Sequence, residues 1–288
     1  MALYAVSREE LGRRLGTLSW PELLALYAVG LVGLGVQGLQ FREICRVFGL
    51  RLTPREWMGL TCVNNMMAYS APAHAGTLVR AAYLQRTRGF PLAGYAALTV
   101  SSHVGILALV SVLAAVVDFA WGGGRLAALF ALVAVLVLGG GAAIARVAAL
   151  ARRLGPLAPH ADAFRAGLAR WRHAPASAWR AGILTLGVFG LRAAGLGLAF
   201  AAVDAAVGAP VALVLQACVA LSALAAPTPA NLGVKEGVIA AGAAALHVDP
   251  ASALLAALVD RAVGVTEAAA TGLVASHLLL GDVAARRR

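Results

Sequence analysis

The chain has 288 residues, 61% of them hydrophobic and only 13% charged, with a formal net charge of +11 and a mean hydropathy of +0.82. A soluble domain carries charge on about a quarter of its residues, so this composition excludes a water-soluble fold and implies an integral membrane protein. Nothing outside the apolar segments is long enough to build a second, aqueous core, so residues 1–288 are expected to form a single membrane domain.

In chain order, residues 1–18 mix Arg8, Glu9, Glu10, Arg13 and Arg14 with apolar residues. They lack the uninterrupted core of a signal peptide and read as an interfacial amphipathic segment. Apolar segments follow at 19–40, 57–71, 76–85, 92–118, 125–147, 180–203, 210–226, 234–247 and 251–280. A helical span needs about 20 apolar residues to cross roughly 30 Å of hydrocarbon. The segments starting near 19, 92, 125, 180 and 251 meet that length. The pieces flanking "PAHAG" (72–76) and "PANLG" (229–233) are shorter and reach only about two thirds of the way across. They fit two broken, re-entrant hairpins, 57–88 and 210–247, better than full spans. The fold expected is thus an all-α, polytopic helical bundle containing both hairpins. Cys45, Cys62 and Cys218 are odd in number and widely spaced, which indicates neither a disulfide framework nor a metal site.

Arginine placement orients the chain. The 145–180 stretch carries Arg146, Arg152, Arg153, Arg165, Arg170, Arg172 and Arg180, and the C-terminus ends "ARRR", so both are expected in the cytoplasm under the positive-inside rule. The arginines at 42, 46, 51 and 55 also stay inside if the first hairpin enters from the cytoplasm, at the cost of placing Arg8, Arg13 and Arg14 outside. The second hairpin then enters from the outer side. Two hairpins of opposite orientation, each broken at Pro-Ala-x-x-Gly, are the trace expected of an inverted repeat, whose breaks mark a transporter's midplane binding site. Irregular backbone survives at that depth only where it lines a wet cavity or is buried in protein. A helix restarting at Gly76 or Gly233 offers free N–H groups and a partial positive charge to an anion, and Arg80 and Lys235 follow closely. The competing reading is that Pro and Gly merely kink or notch the helices.

These residues carry a resemblance. "FREICRVFGLRLTPREWMGLTCVNNMMAYSAPAHAGTLVRAAYLQRTRG" is similar to a segment of the lysylphosphatidylglycerol synthase transmembrane (flippase-like) family, in which Pro-x-x-x-Gly-x-x-x-Arg leads into an apolar "YL", here with Tyr83. "PTPANLGVKEG" resembles that family's later Pro-x-x-x-Gly-x-[Arg/Lys]-Glu signature, followed by a last helix bearing an Arg in "DRAVG". The resemblance covers essentially the whole chain. It implies a central site of Pro72, Gly76, Arg80, Pro229, Gly233, Lys235, Glu236 and Arg261. Two departures stand out: "SSHVG" with His103 replaces an acidic-Arg pair, and the second break lacks paired glycines. The family implies movement of a lipid with an anionic or modified headgroup between leaflets. Aminoacyl transfer belongs to a separate soluble domain in the two-domain members, and this chain is expected to stand without one.

Other intramembrane polar residues join the candidates. Arg192 sits mid-span in "GVFGLRAAGLGLAF", where an unpaired charge is expensive and lines a cavity or meets an acid. Asp260 and Glu267 are seven apart on one helix face and either neutralise Arg192 or Arg261 or carry a coupling proton. Glu236 either favours the positive helix end or gates the site. His74 and His103 titrate near neutral pH or make one helix–helix hydrogen bond, Asn64 and Asn65 read the same way, and Asn231 takes the place of His74 in the second break.

No multi-Asp metal motif, Ser-Gly-His run, HExxH or GxSG occurs, so catalysis is not expected, and neither a cofactor nor a metal is implied. The leading expectation is a multi-pass lipid transporter of the plasma or inner membrane. The alternative is a non-transporting scaffold that presents lipid to a separately encoded transferase. The basic 145–180 stretch, with Trp171 and Trp179, reads as a solvated or membrane-surface helix with anionic lipid rather than nucleic acid as its natural partner.

Overall fold

In a computed structural model, residues 19–71, 75–121, 124, 126–151, 158–222 and 231–285 are described, and all of their regular structure is helical. The interfacial segment 1–18 and the candidates Pro72, His74 and Pro229 lie outside the described residues.

The first described helix, α1 (Trp20–Val47), begins where Ser19 and Glu22 form a capping box: the Ser19 hydroxyl accepts from the Glu22 amide and the Glu22 carboxylate from the Ser19 amide. Two orphan amide donors are thereby satisfied within four residues. Thr53 and Glu56 repeat the device at the start of α2 (Pro54–Ser70), again with Pro in the first turn. Helix α3 (Ala75–Arg88) packs back along α2, and Arg88 forks onto both oxygens of the fully buried Glu56 at 2.5–2.7 Å. That ion pair ties the last turn of α3 to the first turn of α2, closing the pair of helices at the end away from the break.

Then come α4 (Leu92–Trp121), α5 (Ala127–Ala151), α6 (Ala158–His173), α7 (Pro175–Ala201), α8 (Ala209–Ser222), α9 (Val234–Ala245) and α10 (Pro250–Ala285). Helices α1, α4 and α7 are both long and apolar enough to cross a membrane. Of the other two stretches expected to span, 125–147 forms α5, whose described apolar run is Ala127–Gly140, and 251–280 forms α10, long enough at 36 residues but carrying Asp260, Arg261 and Glu267. Helices α3, α8 and α9, of 14, 14 and 12 residues, are too short to cross, as their apolar lengths predict.

The described part of the 145–180 stretch, expected as a basic solvated or membrane-surface helix, is mostly helical. Helix α6 is docked: Trp171 donates its indole N–H to Ser101 Oγ at 2.9 Å, Arg170 reaches the Phe48 carbonyl at 2.5 Å, and Phe48 and Trp171 meet edge to face. Its basic face, with Arg165 and Arg172, remains exposed.

Helix α1 packs chiefly on α7 and α10 chiefly on α2. One apolar core unites α1, α2, α3 and α4 around Leu60, Leu84 and Leu98, while another unites α7, α8, α9 and α10 around Leu196, Leu215, Ile239 and Leu255. The α2–α10 contact depends on missing side chains: Tyr69 Oη lies 2.5 Å from where a Gly264 Cβ would stand, and Met66 fills the space beside Gly272.

Candidate functional site

A cavity of about 400 Å³ opens between α1, α2, α7, the end of α8, the start of α9 and α10. Its volume falls in the range of small-molecule sites, about 300–1,000 Å³. Glycines 30, 33 and 264 thin its walls, and polar groups enter from every side: Gln37, Asn65, Tyr69, Arg192, Gln216, Asn231, Lys235, Asp260, Glu267 and Thr271.

The start of α9 is built by backbone conformation. Asn231 and Gly233 both adopt left-handed φ, +55° and +80°, so the chain turns sharply before Val234. Asn231 Nδ2 donates to Ser222 Oγ at 2.8 Å, linking the last turn of α8 to this turn. The Gly233 amide, expected to face an anion, donates instead to Glu236 Oε2 at 2.9 Å. The helix end thus already holds a carboxylate of its own.

Two ion pairs fasten this turn to α10. Lys235 Nζ meets Asp260 Oδ2 at 2.5 Å on the cavity wall, and behind it Arg261 pairs with Glu236 while donating to the Asn231 carbonyl at 3.3 Å. Adjacent residues on each helix carry opposite charges, Lys235–Glu236 and Asp260–Arg261, so the pairs cross in parallel. The inner pair is buried, whereas the outer keeps 17% and 27% of its side-chain surface accessible.

Arg192 differs. It projects from the middle of α7, exposed, and donates only a long 3.4 Å hydrogen bond to Gln37 Oε1, which also accepts from Asn65 Nδ2 at 3.0 Å. Among the described residues no carboxylate touches it. The cavity therefore presents one unpaired guanidinium inside a wall of amides, with Glu267 as a carboxylate lining the same space.

Of the candidates from the sequence, Arg192, Asn231, Lys235, Asp260 and Glu267 line this cavity, while Gly233, Glu236 and Arg261 support its wall. Arg80 and Tyr83 do not line it. Arg80 turns toward α2, donating to the Leu60 carbonyl at 3.0 Å and Thr61 Oγ1 at 3.2 Å, with its guanidinium 4.1 Å from the Phe41 ring centroid. Tyr83 packs against the α1–α4 core. His103 bonds the Thr99 carbonyl of its own helix.

Gly76 is buried where α3 presses on α2, with an added Cβ only 2.7 Å from the Asn64 carbonyl oxygen. Gly233 has open space around its Cα and is required for its φ. The two glycines of the repeated motif thus serve different physical needs.

Sequence reading missed Gln37, Tyr69, Gln216 and Thr271. Gln37 had a signal, an amide within a long apolar span, where polar groups need a partner. Among the described residues, no cluster of His, Cys, Asp and Glu is arranged to hold a metal ion. The arrangement can bind charge and hydrogen-bonding groups.

No curated protein and no solved structure matches this chain. The family model described as the lysylphosphatidylglycerol synthase TM region matches residues 1–272. That match includes every residue lining the cavity, from Leu26 to Thr271. The chain belongs to the lysylphosphatidylglycerol synthase TM region family, and it is a membrane protein of that family.

Proposed function

We propose that this protein moves a lipid with an anionic or modified headgroup between the leaflets of the plasma or inner membrane, without catalysing a covalent step. The observation that carries the reading is Arg192: a guanidinium held in mid-helix, free of any touching carboxylate, facing a cavity of headgroup size. A charge there is expensive unless something anionic visits it. The headgroup phosphate sits between Arg192 and Lys235, and the amides of Gln37, Asn65 and Asn231 meet its oxygens. Exposed apolar side chains on α1 (Leu24, Leu31, Val32) and α10 (Leu273, Val274, Leu278) keep the acyl chains in hydrocarbon beside the cavity. The two broken helix pairs, α2–α3 and α8–α9, act as opposed re-entrant hairpins of an inverted repeat. Rocking of the halves exposes the site to one leaflet and then the other.

The test is transbilayer movement of fluorescent phosphatidylglycerol in proteoliposomes. Arg192→Ala is expected to slow movement at least about tenfold, the effect of losing one charge-assisted contact of about 1.4 kcal/mol or more, while the purified variant still elutes as a folded species. Equal rates for wild type, Arg192→Ala and empty vesicles would refute transport. Tight lipid binding without movement would instead select the scaffold that presents lipid to a separate transferase.

A further inference from the structure

The cavity contains a carboxylate that the transport reading does not use. Glu267 lies two turns along α10 from Asp260, half-buried, with its carboxylate lodged against α1 where Gly30 lacks a side chain. A Cβ at Gly30 would collide with Glu267 Oε2, so the notch is occupied by this acid. Among the described residues no cation touches it. Beside Gly30, it shares the cavity with Arg192 from α7, Gln37 from α1, Asn65 and Tyr69 from α2, and Asp260 on its own helix, while the Cys62 thiol of α2 is buried behind that wall. From α9, Lys235 is already engaged by Asp260. Arg261 is turned to Glu236, Tyr27 bonds Thr266, and His277 lies farther along α10 and exposed. Among the described cations that line the cavity, Arg192 is the one that no carboxylate touches, and it is also one of the two that the proposed headgroup meets.

We propose that Glu267 is a proton-binding residue that competes with the anionic headgroup for Arg192, so that headgroup and proton enter the cavity together. This rests on the lipid-binding reading of the same cavity. With Glu267 ionised, its charge attracts Arg192 across the shared cavity and repels a phosphate in a space where water screens poorly. When the carboxylate takes a proton from water and becomes the neutral acid, that attraction and the repulsion both end. No other bond changes. Linkage then requires the reverse effect: a bound phosphate draws a proton onto Glu267, and the headgroup leaves as the acid re-ionises to water. Asp260 differs from Glu267 in being already paired with a cation, Lys235.

The experiment measures binding of fluorescent phosphatidylglycerol, whose phosphate stays ionised throughout, to the purified full chain between about pH 5 and pH 8. Wild type is expected to bind about tenfold tighter at the acid end, the coupling that corresponds to one unit of proton affinity. Glu267→Gln is expected to bind at the tight limit with no pH dependence, and His277→Gln, exposed on the same helix outside the cavity, to keep the wild-type slope. Gly30→Ala, which pushes the carboxylate from its notch, should alter the slope without removing a titrating group. A flat wild-type profile, or a Glu267→Gln profile with the wild-type slope, overturns the proposal. Wild type that binds with the slope yet moves no lipid across vesicles defeats transport alone; movement with a flat profile defeats the proton alone; no binding at any pH defeats both.

Discussion

Arg261→Ala is expected to destabilise the protein by about 3–5 kcal/mol, the cost of removing one member of a buried ion pair and leaving the other charged and unpaired. Glu236 is only 6% exposed, and its second oxygen is committed to the Gly233 amide. The variant therefore abandons a carboxylate at the start of α9 and also removes the donor to the Asn231 carbonyl. Replacing both partners, with Glu236→Gln and Arg261→Met, should restore most of the loss, because a neutral pair of similar volume carries no desolvation penalty. Lys235→Ala should cost far less stability, since Asp260 faces the cavity and keeps contact with water. Thermal unfolding of the detergent-purified chain checks all three variants. An Arg261→Ala protein melting with wild type would show that the inner pair does not hold α9 to α10.

Gly76→Val is expected to cost about 3 kcal/mol, at the upper end of overpacking penalties, and to force α3 away from α2. The obstacles are Asn64 O at 2.7 Å, Asn64 Cα at 2.8 Å and Asn64 Oδ1 at 2.8 Å, and two of them are backbone atoms that no rotamer change can move. Neighbouring Asn65 lines the cavity and Arg80 lies one turn along α3, so separation of these helices disturbs the amide wall as well. Gly233 provides the contrast. No atom lies within 4 Å of its added Cβ, and the constraint is a φ of +80°. Apart from glycine, asparagine tolerates a positive φ better than other residues, so Gly233→Asn should cost backbone strain alone and less than Gly76→Asn, which is as damaging as valine. Melting temperature and elution profile distinguish them. Equal tolerance at both sites would mean that the two glycines answer to one constraint after all.

Pro-Ala-x-x-Gly appears twice, and identical spacing suggests identical purpose. Spacing reports where the chain breaks and says nothing about what stands opposite the break. The same limit applies to the arginines. Arg80 and Arg192 each sit within an apolar helix, and each reads as a cation awaiting an anion. Packing turned Arg80 onto the α2 backbone and the Phe41 ring, and left Arg192 facing the cavity.

What the sequence determined by itself was whatever local chemistry settles. Apolar composition selects the membrane, run length separates the long helices from the short broken ones, and Ser19–Glu22 and Thr53–Glu56 set helix starts through contacts three residues apart. The motifs also located the family and most of the charged residues near its cavity. The tertiary structure alone decided which charges cancel. Lys235–Asp260 and Glu236–Arg261 join residues 25 apart, and Arg192 reaches Gln37 across 155 positions. Such partners are chosen by the rotation of one helix against another, which depends on where glycines let backbones approach. That rotation paired every cavity cation except Arg192, and so placed the free charge on a residue that neither signature motif contains.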